Sequence, residues 1–207
     1  MTRPRAGVDL ARIEPASLAA WRAWLERHHQ QSESVWLVIP KKASKTATFT
    51  MTEAAEEALC FGWIDSLPRA LDETRSMLLM SPRKKGSSWS AVNKRRVEKL
   101  IAEGRMAAPG LARIAQAKED GTWDRLNDVD ALIEPQDLLA ALAAHPEAMG
   151  HWRAFPKSAR RGILEWISTA KTAQTRAKRI VETAARAALN ERANQWTGRA
   201  NPRKSGA

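Results

Sequence analysis

The segment from Arg83 to Asn93 holds the residues best suited to grip a ligand. Arg83, Lys84 and Lys85 are followed by Gly86, by Ser87, Ser88, Trp89 and Ser90, and then by a stretch with helical periodicity. The first turn of a helix leaves backbone N–H groups unpaired and carries the positive end of the helix dipole, so an anion is stabilised there. The basic triplet adds charge, Ser87 or Ser88 adds a hydroxyl donor, and Gly86 lets the backbone bend close to a ligand. Trp89 offers a ring able to stack on a base. The expected contacts are Arg83 or Lys84 together with the N–H of Ser88 or Ser90. A neighbouring hairpin brings Trp63 and Asp65 alongside as an apolar and a polar wall. The expected partner is an anionic small molecule or phosphate. The same residues also describe an ordinary capped helix after a basic turn, with Trp89 in the core.

Cys60, Trp63 and Asp65 raise an enzyme reading, because a cysteine beside a carboxylate can act as a nucleophile. Such a nucleophile needs a base, and no histidine stands near it in sequence; His145 and His151 are distant. A lone cysteine on a helix is usually buried and inert. Asp65 is better explained as a partner of Arg75 or Arg83. The residues therefore weigh against an enzyme. Metal chemistry is weakly supported too. His28 and His29 are adjacent and point to different faces, and His145 and His151 are six apart. There is no CxxC, HExxH, P-loop, GxGxxG or GxSxG, so no metal and no cofactor is expected. A last candidate lies in two closely spaced helices near the C-terminus. Gln174, Arg176, Lys178 and Arg179 sit early on the second, where a helix-turn-helix protein reads bases. A helical hairpin that simply closes a core has the same pattern.

These groups sit in a chain of 207 residues with a net charge of +11 and a pI near 10.4. The balance favours nucleic acid, phosphorylated metabolites or an acidic membrane face, or else is only a solvated basic surface. The single cysteine excludes an internal disulfide. Met1–Leu10 lacks the apolar core of a signal peptide, and no apolar run approaches the ~20 residues of a membrane helix, so a cytoplasmic location is expected.

The positioning elements follow from periodicity. Leu18, Trp21, Leu25 and His28 predict a helix over 15–30. Val35 to Ile39 is a continuous apolar run closed by Pro40, which predicts a strand buried on both faces. Lys41, Lys42, Ser44 and Lys45 form a polar loop. Thr50 and Glu53 have the spacing of a capping box and open a helix stopped by Gly62. Residues 63–71 and 76–80 predict a hairpin, with Pro68 confining its strand to an edge. After residue 90 the pattern is helical throughout. One helix carries Trp89, Val92, Val97, Leu100 and Ile101. The next spans 109–120 through Leu111, Ile114, Ala115 and Lys118. Residues 127–137 are acidic and loop-like, with helices following from Pro135, Pro146, Ser158 and Thr172. Trp21, Trp36, Trp152 and Trp166 are expected in the core. The predicted fold is α+β, mainly α: an antiparallel sheet with a hairpin in residues 1–130, a helical module over 131–196, and a disordered basic tail over 197–207.

Two stretches are distinctive. One is Ala58-Leu59-Cys60-Phe61-Gly62-Trp63-Ile64-Asp65-Ser66, continued by Ser81 to Ser90. The other is Ile163-Leu164-Glu165-Trp166-Ile167 with Ala170-Lys171 and Thr175 to Ile180. Together they resemble the YdeI/OmpD-associated, bacteriocin-protection (OmdA-like) family over roughly residues 34–196. The resemblance implies an N-terminal α+β part, a C-terminal helical module and a role in stress or antimicrobial protection. It supplies no catalytic residues. The family's Pro-Glu before Thr-Arg is replaced by Ala173-Gln174, which removes a helix-starting proline and a first-turn carboxylate. The leading expectation is a non-enzymatic protein that binds an anion. The alternatives are a small-molecule enzyme using Asp65 and Cys60 in the same cleft, and a weak, non-specific nucleic-acid binder using the last helix and the basic tail.

Overall fold

The computed structural model describes residues 10–41 and 48–194. The loop expected at Lys42, Ser44 and Lys45 and the basic tail expected over 197–207 lie outside the described residues. The chain forms two compact units, Met1–Arg125 and Leu126–Ala207.

The first unit is built on a four-stranded sheet of order β1-β2-β4-β3, with β1 Arg12–Ile13, β2 Val35–Pro40, β3 Trp63–Ala70 and β4 Arg75–Pro82. The first five residues of β2 are all buried. Val35, Leu37 and Ile39 enter the main core, while Trp36 and Val38 pack with Met77 on the opposite face. Burial on both faces is why the run is uniformly apolar rather than alternating. The β3–β4 hairpin is antiparallel, and its turn is tied by Asp72, whose Oδ1 accepts from the N–H of Thr74 and Arg75. The register shifts between Asp65 and Pro68, where proline has no N–H to give the ladder. One correction concerns the sheet: it is mixed, because β1 pairs parallel with β2. Two residues are too few to show a period.

Helix α1, Leu18–His28, starts at Ser17, whose side chain accepts from Ala20 N–H; Pro15 lies ahead of it. Helix α2, Met51–Cys60, starts with the expected Thr50–Glu53 capping box. It ends where Gly62 takes φ +75°, which favours glycine. Helices α3, Ala91–Ala102, and α4, Ala108–Glu119, follow in the phase that packing dictates. The buried face of α3 is Asn93, Val97 and Leu100, whereas Val92 and Ile101 are each 49% exposed. The buried face of α4 is Gly110, Ile114 and Ala117, with Leu111 exposed. Both departures have a physical cause. Trp89 precedes the cap Ser90 and is not a helical residue, so counting from it shifts the stripe. In α4, Gly110 rests on the backbone of α2: a Cβ there would stand 2.2 Å from the Cys60 carbonyl oxygen.

The second unit holds α5 Asn127–Asp130, α6 Gln136–Ala143, α7 Ala148–Ala154, α8 Lys157–Ser168 and α9 Ala173–Ala188. Its core joins Leu138, Leu142, Trp152, Ile163, Ile167 and Ile180. The acidic stretch expected as loop contains α5, anchored by buried Val129. Helix α8 begins after Pro156, so Ser158 is a first-turn residue rather than its cap. Trp166 is half-buried and carries the Arg179 guanidinium 5.0 Å above its ring. Helix α9 starts at Ala173 despite the missing proline, because Thr172 accepts from Thr175 N–H at 3.1 Å. No strand follows residue 90 among the described residues.

Candidate anion-binding site

Arg83 leaves β4 and turns inward. Its backbone N–H donates to the Gly62 carbonyl at 3.0 Å, which fixes the exit of the hairpin against the end of α2. The side chain is only 3% exposed. The guanidinium lies 3.8 Å above the Trp89 ring, and Nη1 donates to the Ser88 carbonyl at 2.9 Å. Stacking and one hydrogen bond thus hold the group in one orientation. Nε and Nη2 are buried and have no hydrogen-bond partner among the described residues. These two donors lie on one edge of the guanidinium and converge on a position where a single oxyanion oxygen can accept from both. Leaving such donors unpaired costs about 1–3 kcal/mol per group. Burial pushes the Arg83 pKa down to about 10, opposed by the charge of Asp65, so the group is still cationic at neutral pH.

A cavity of about 10 Å³ adjoins this side chain, lined by Arg83, Lys84, Lys85, Arg113, Gln116 and Thr122 among others. It has room for roughly one water-sized group. Lys84, Lys85 and Arg113 are exposed at its rim. Gly86 takes φ +78° in the turn, and Arg125 Nη1 donates to its carbonyl at 3.0 Å. Asp120 also lines the cavity, but its carboxylate accepts from the Thr122 hydroxyl at 2.6 Å and from Thr122 N–H at 3.0 Å. Those bonds hold its carboxyl below the usual range.

Of the residues expected at this site, Arg83, Lys84 and Trp89 come together. Ser88 contributes a carbonyl acceptor to Arg83 in place of an N–H donor. The Ser90 hydroxyl is engaged as the cap of α3, accepting from Asn93 N–H at 3.4 Å. Trp89 is 1% exposed and supports Arg83 from below; it offers no open face for stacking. Trp63 is wholly buried, donates from Nε1 to the His29 carbonyl, and meets the Trp24 ring edge-on at 5.7 Å. Asp65 lines a different cavity of about 320 Å³ with Thr52, Ser66 and Arg96. Arg75 pairs with Asp72 and Glu14 instead of Asp65. The members missed from the sequence are Arg113, Gln116 and Thr122, with Trp123 beyond them. The Trp123 ring centroid is 5.1 Å from that of Trp89, and Lys94 and Lys118 stand over it at 5.2 and 5.3 Å. The available signal was the spacing of Arg113, Gln116, Ala117 and Asp120, which share one face of α4.

The other constellations resolve differently. Cys60 is fully buried beside Arg22, Glu57 and Arg105, and burial pushes its thiol pKa up. Glu57 accepts from Arg22 at 2.8 Å and from Arg105, so this ion cluster is satisfied within itself. Cys60 does not line the cavity that Asp65 lines. Among the described residues no group of three or more His, Cys, Asp or Glu is placed to hold a metal ion. None of the described helices is long and apolar enough to cross a membrane. In the second unit Arg176 makes paired bonds of 2.8 and 2.9 Å to Asp137, and Arg179 donates to the Trp166 carbonyl. Two of the four candidate base-reading residues are therefore engaged inside their own unit.

The fold and site describe an α+β protein with a basic, arginine-floored pocket. Residues 131–190, most of the helical unit, match the family described as Bacteriocin-protection, YdeI or OmpD-Associated (OmdA). Residues 13–113, which carry the pocket floor and Arg113, match a domain of unknown function (DUF8412). The stretch around Cys60–Ser66 and Ser81–Ser90 thus falls in the second match, and only the stretch around Ile163–Ile180 falls in the first. No curated protein and no solved structure matches the chain.

Proposed function

We propose that this is a non-enzymatic, cytoplasmic binding protein that takes up an oxyanion at Arg83 in a stress- or antimicrobial-protection role. The observation that carries the reading is the buried guanidinium with its Nε and Nη2 unpartnered beside a cavity. An oxygen of a phosphate or carboxylate bound there satisfies both donors and neutralises a charge whose burial is unfavourable. Lys84, Lys85 and Arg113 then face the remaining oxygens. The description of the OmdA family supports the protective role.

The test is a titration of the wild type and of Arg83→Ala with inorganic phosphate and a panel of phosphorylated metabolites, followed by tryptophan fluorescence. Trp89 lies against the guanidinium, so its share of the emission of the nine tryptophans should change on occupancy. Arg83→Ala is expected to weaken binding by roughly 1–3 kcal/mol, the range for a charge-assisted hydrogen bond. Arg83→Lys keeps the charge but loses the planar fork, and should fall between the two. Absence of binding to the wild type, or equal binding by all three, removes the reading.

A further inference from the structure

We infer that the oxyanion taken by Arg83 is a backbone phosphate of a nucleic acid, docked on the face formed by the 83–87 turn, α3 and α4. This rests on the binding reading above and names its ligand class. The cavity admits one water-sized group, so a single phosphate oxygen enters while the rest of the ligand stays outside. A phosphodiester meets that constraint, since its ester oxygens continue along a chain that needs no enclosure. The charge around the cavity is also extended. Lys84, Lys85 and Arg113 line it with Arg83, Arg125 donates to the Gly86 carbonyl beside it, and Lys94 and Lys118 stand over the neighbouring Trp123 ring. Of these, Lys84, Lys85, Arg113 and Lys118 are exposed and enter no ion pair among the described residues. A lone metabolite phosphate would leave most of them unused, whereas a polyanion engages several at once.

The chemistry predicts backbone contact without base reading. Trp89 is buried and the Trp123 ring is already approached by two lysines, so no open aromatic platform stands beside the pocket. Binding should be independent of sequence and should weaken steeply as salt rises. The location also differs from a site on the last helix, where Arg176 and Arg179 already have internal partners.

The experiment uses the full chain and a fluorescently labelled 20-nucleotide oligomer, single-stranded and duplex, read by anisotropy from 50 to 200 mM salt. The triple variant Lys84→Ala/Lys85→Ala/Arg113→Ala changes only exposed side chains and should bind at least about tenfold more weakly, with a shallower salt dependence. Arg176→Ala/Lys178→Ala and a chain lacking residues 198–207 should bind within about threefold of the wild type. If the wild type binds inorganic phosphate but no oligomer, this inference fails while the oxyanion reading stands. If neither binds, both fail. Loss of oligomer binding on removing 198–207, with the triple variant unaffected, overturns the face. Tighter binding to phosphatidylserine vesicles than to either oligomer makes the surface a membrane-docking one and also overturns it.

Discussion

Replacing Gly110 with alanine should destabilise the first unit and loosen its pocket together. A Cβ at this position would lie 2.2 Å from the Cys60 carbonyl oxygen, 2.7 Å from its carbon and 2.8 Å from Met106 Cε. The methionine end can move, but the carbonyl is held, since it accepts from Ala107 N–H at 3.1 Å. Relief therefore requires α4 to lift from α2 or that hydrogen bond to break. Overpacking of this kind costs about 1–3 kcal/mol, and the hydrogen bond about 1 more. Alanine returns up to about 1 kcal/mol of helix propensity, leaving a net loss of roughly 1–4 kcal/mol. Because Arg113, Gln116 and Ala117 ride on α4, the same lift should weaken phosphate binding. Hydrogen exchange of α4 amides isolates the first unit from the second and measures the loss. Gly162→Ala in α8 is the control, because a Cβ there meets nothing within 4 Å and should add about 0.5–1 kcal/mol. A Gly110→Ala protein whose α4 amides are as protected as those of the wild type would refute the packing argument.

Thr50→Ala removes the hydroxyl that accepts from Glu53 N–H, leaving the Glu53 carboxylate on the backbone N–H of residue 50, and should cost about 1 kcal/mol in urea unfolding. Cys60 should react with a thiol reagent only as the first unit unfolds, since it is fully buried and its thiol pKa is raised; rapid native-state labelling would contradict this. Asp72 is held at about 2 by the Arg75 guanidinium and by N–H groups in the hairpin turn, against an ordinary value of 3.8. Its contribution to stability is therefore full above about pH 3.8 and is lost as pH falls through about 2. Carbon-13 titration of its carboxyl should show this, and Arg75→Ala should return the midpoint toward 3.8.

Much of the scaffold is legible in the sequence where one local signal decides it. The uniform apolar run of β2, the Thr50–Glu53 box and the Thr172 cap each have a single explanation, and all three appear as read. The phases of α3 and α4 are not legible, because they are set by what packs across from them. Gly110 turns toward α2 through a contact fifty residues away in sequence, and no periodicity encodes that. The site was half legible for the same reason. Arg83, Lys84 and Trp89 are neighbours in sequence, so their association follows from a short turn. Arg113 and Thr122 arrive only through the docking of α4. The hairpin that the sequence places beside the helix start is there, yet the ring of Trp63 packs into the aromatic cluster beside α1, and Asp65 opens onto another cavity.

The most direct measurement of the central claim is a high-resolution crystal structure of the protein grown in phosphate. Anion density with an oxygen within hydrogen-bond distance of Arg83 Nε and Nη2, and Lys84, Lys85 or Arg113 turned toward it, is the result predicted. A single ordered water filling the cavity and satisfying both donors, with phosphate absent, would contradict the account and leave Arg83 as a brace for Trp89 alone.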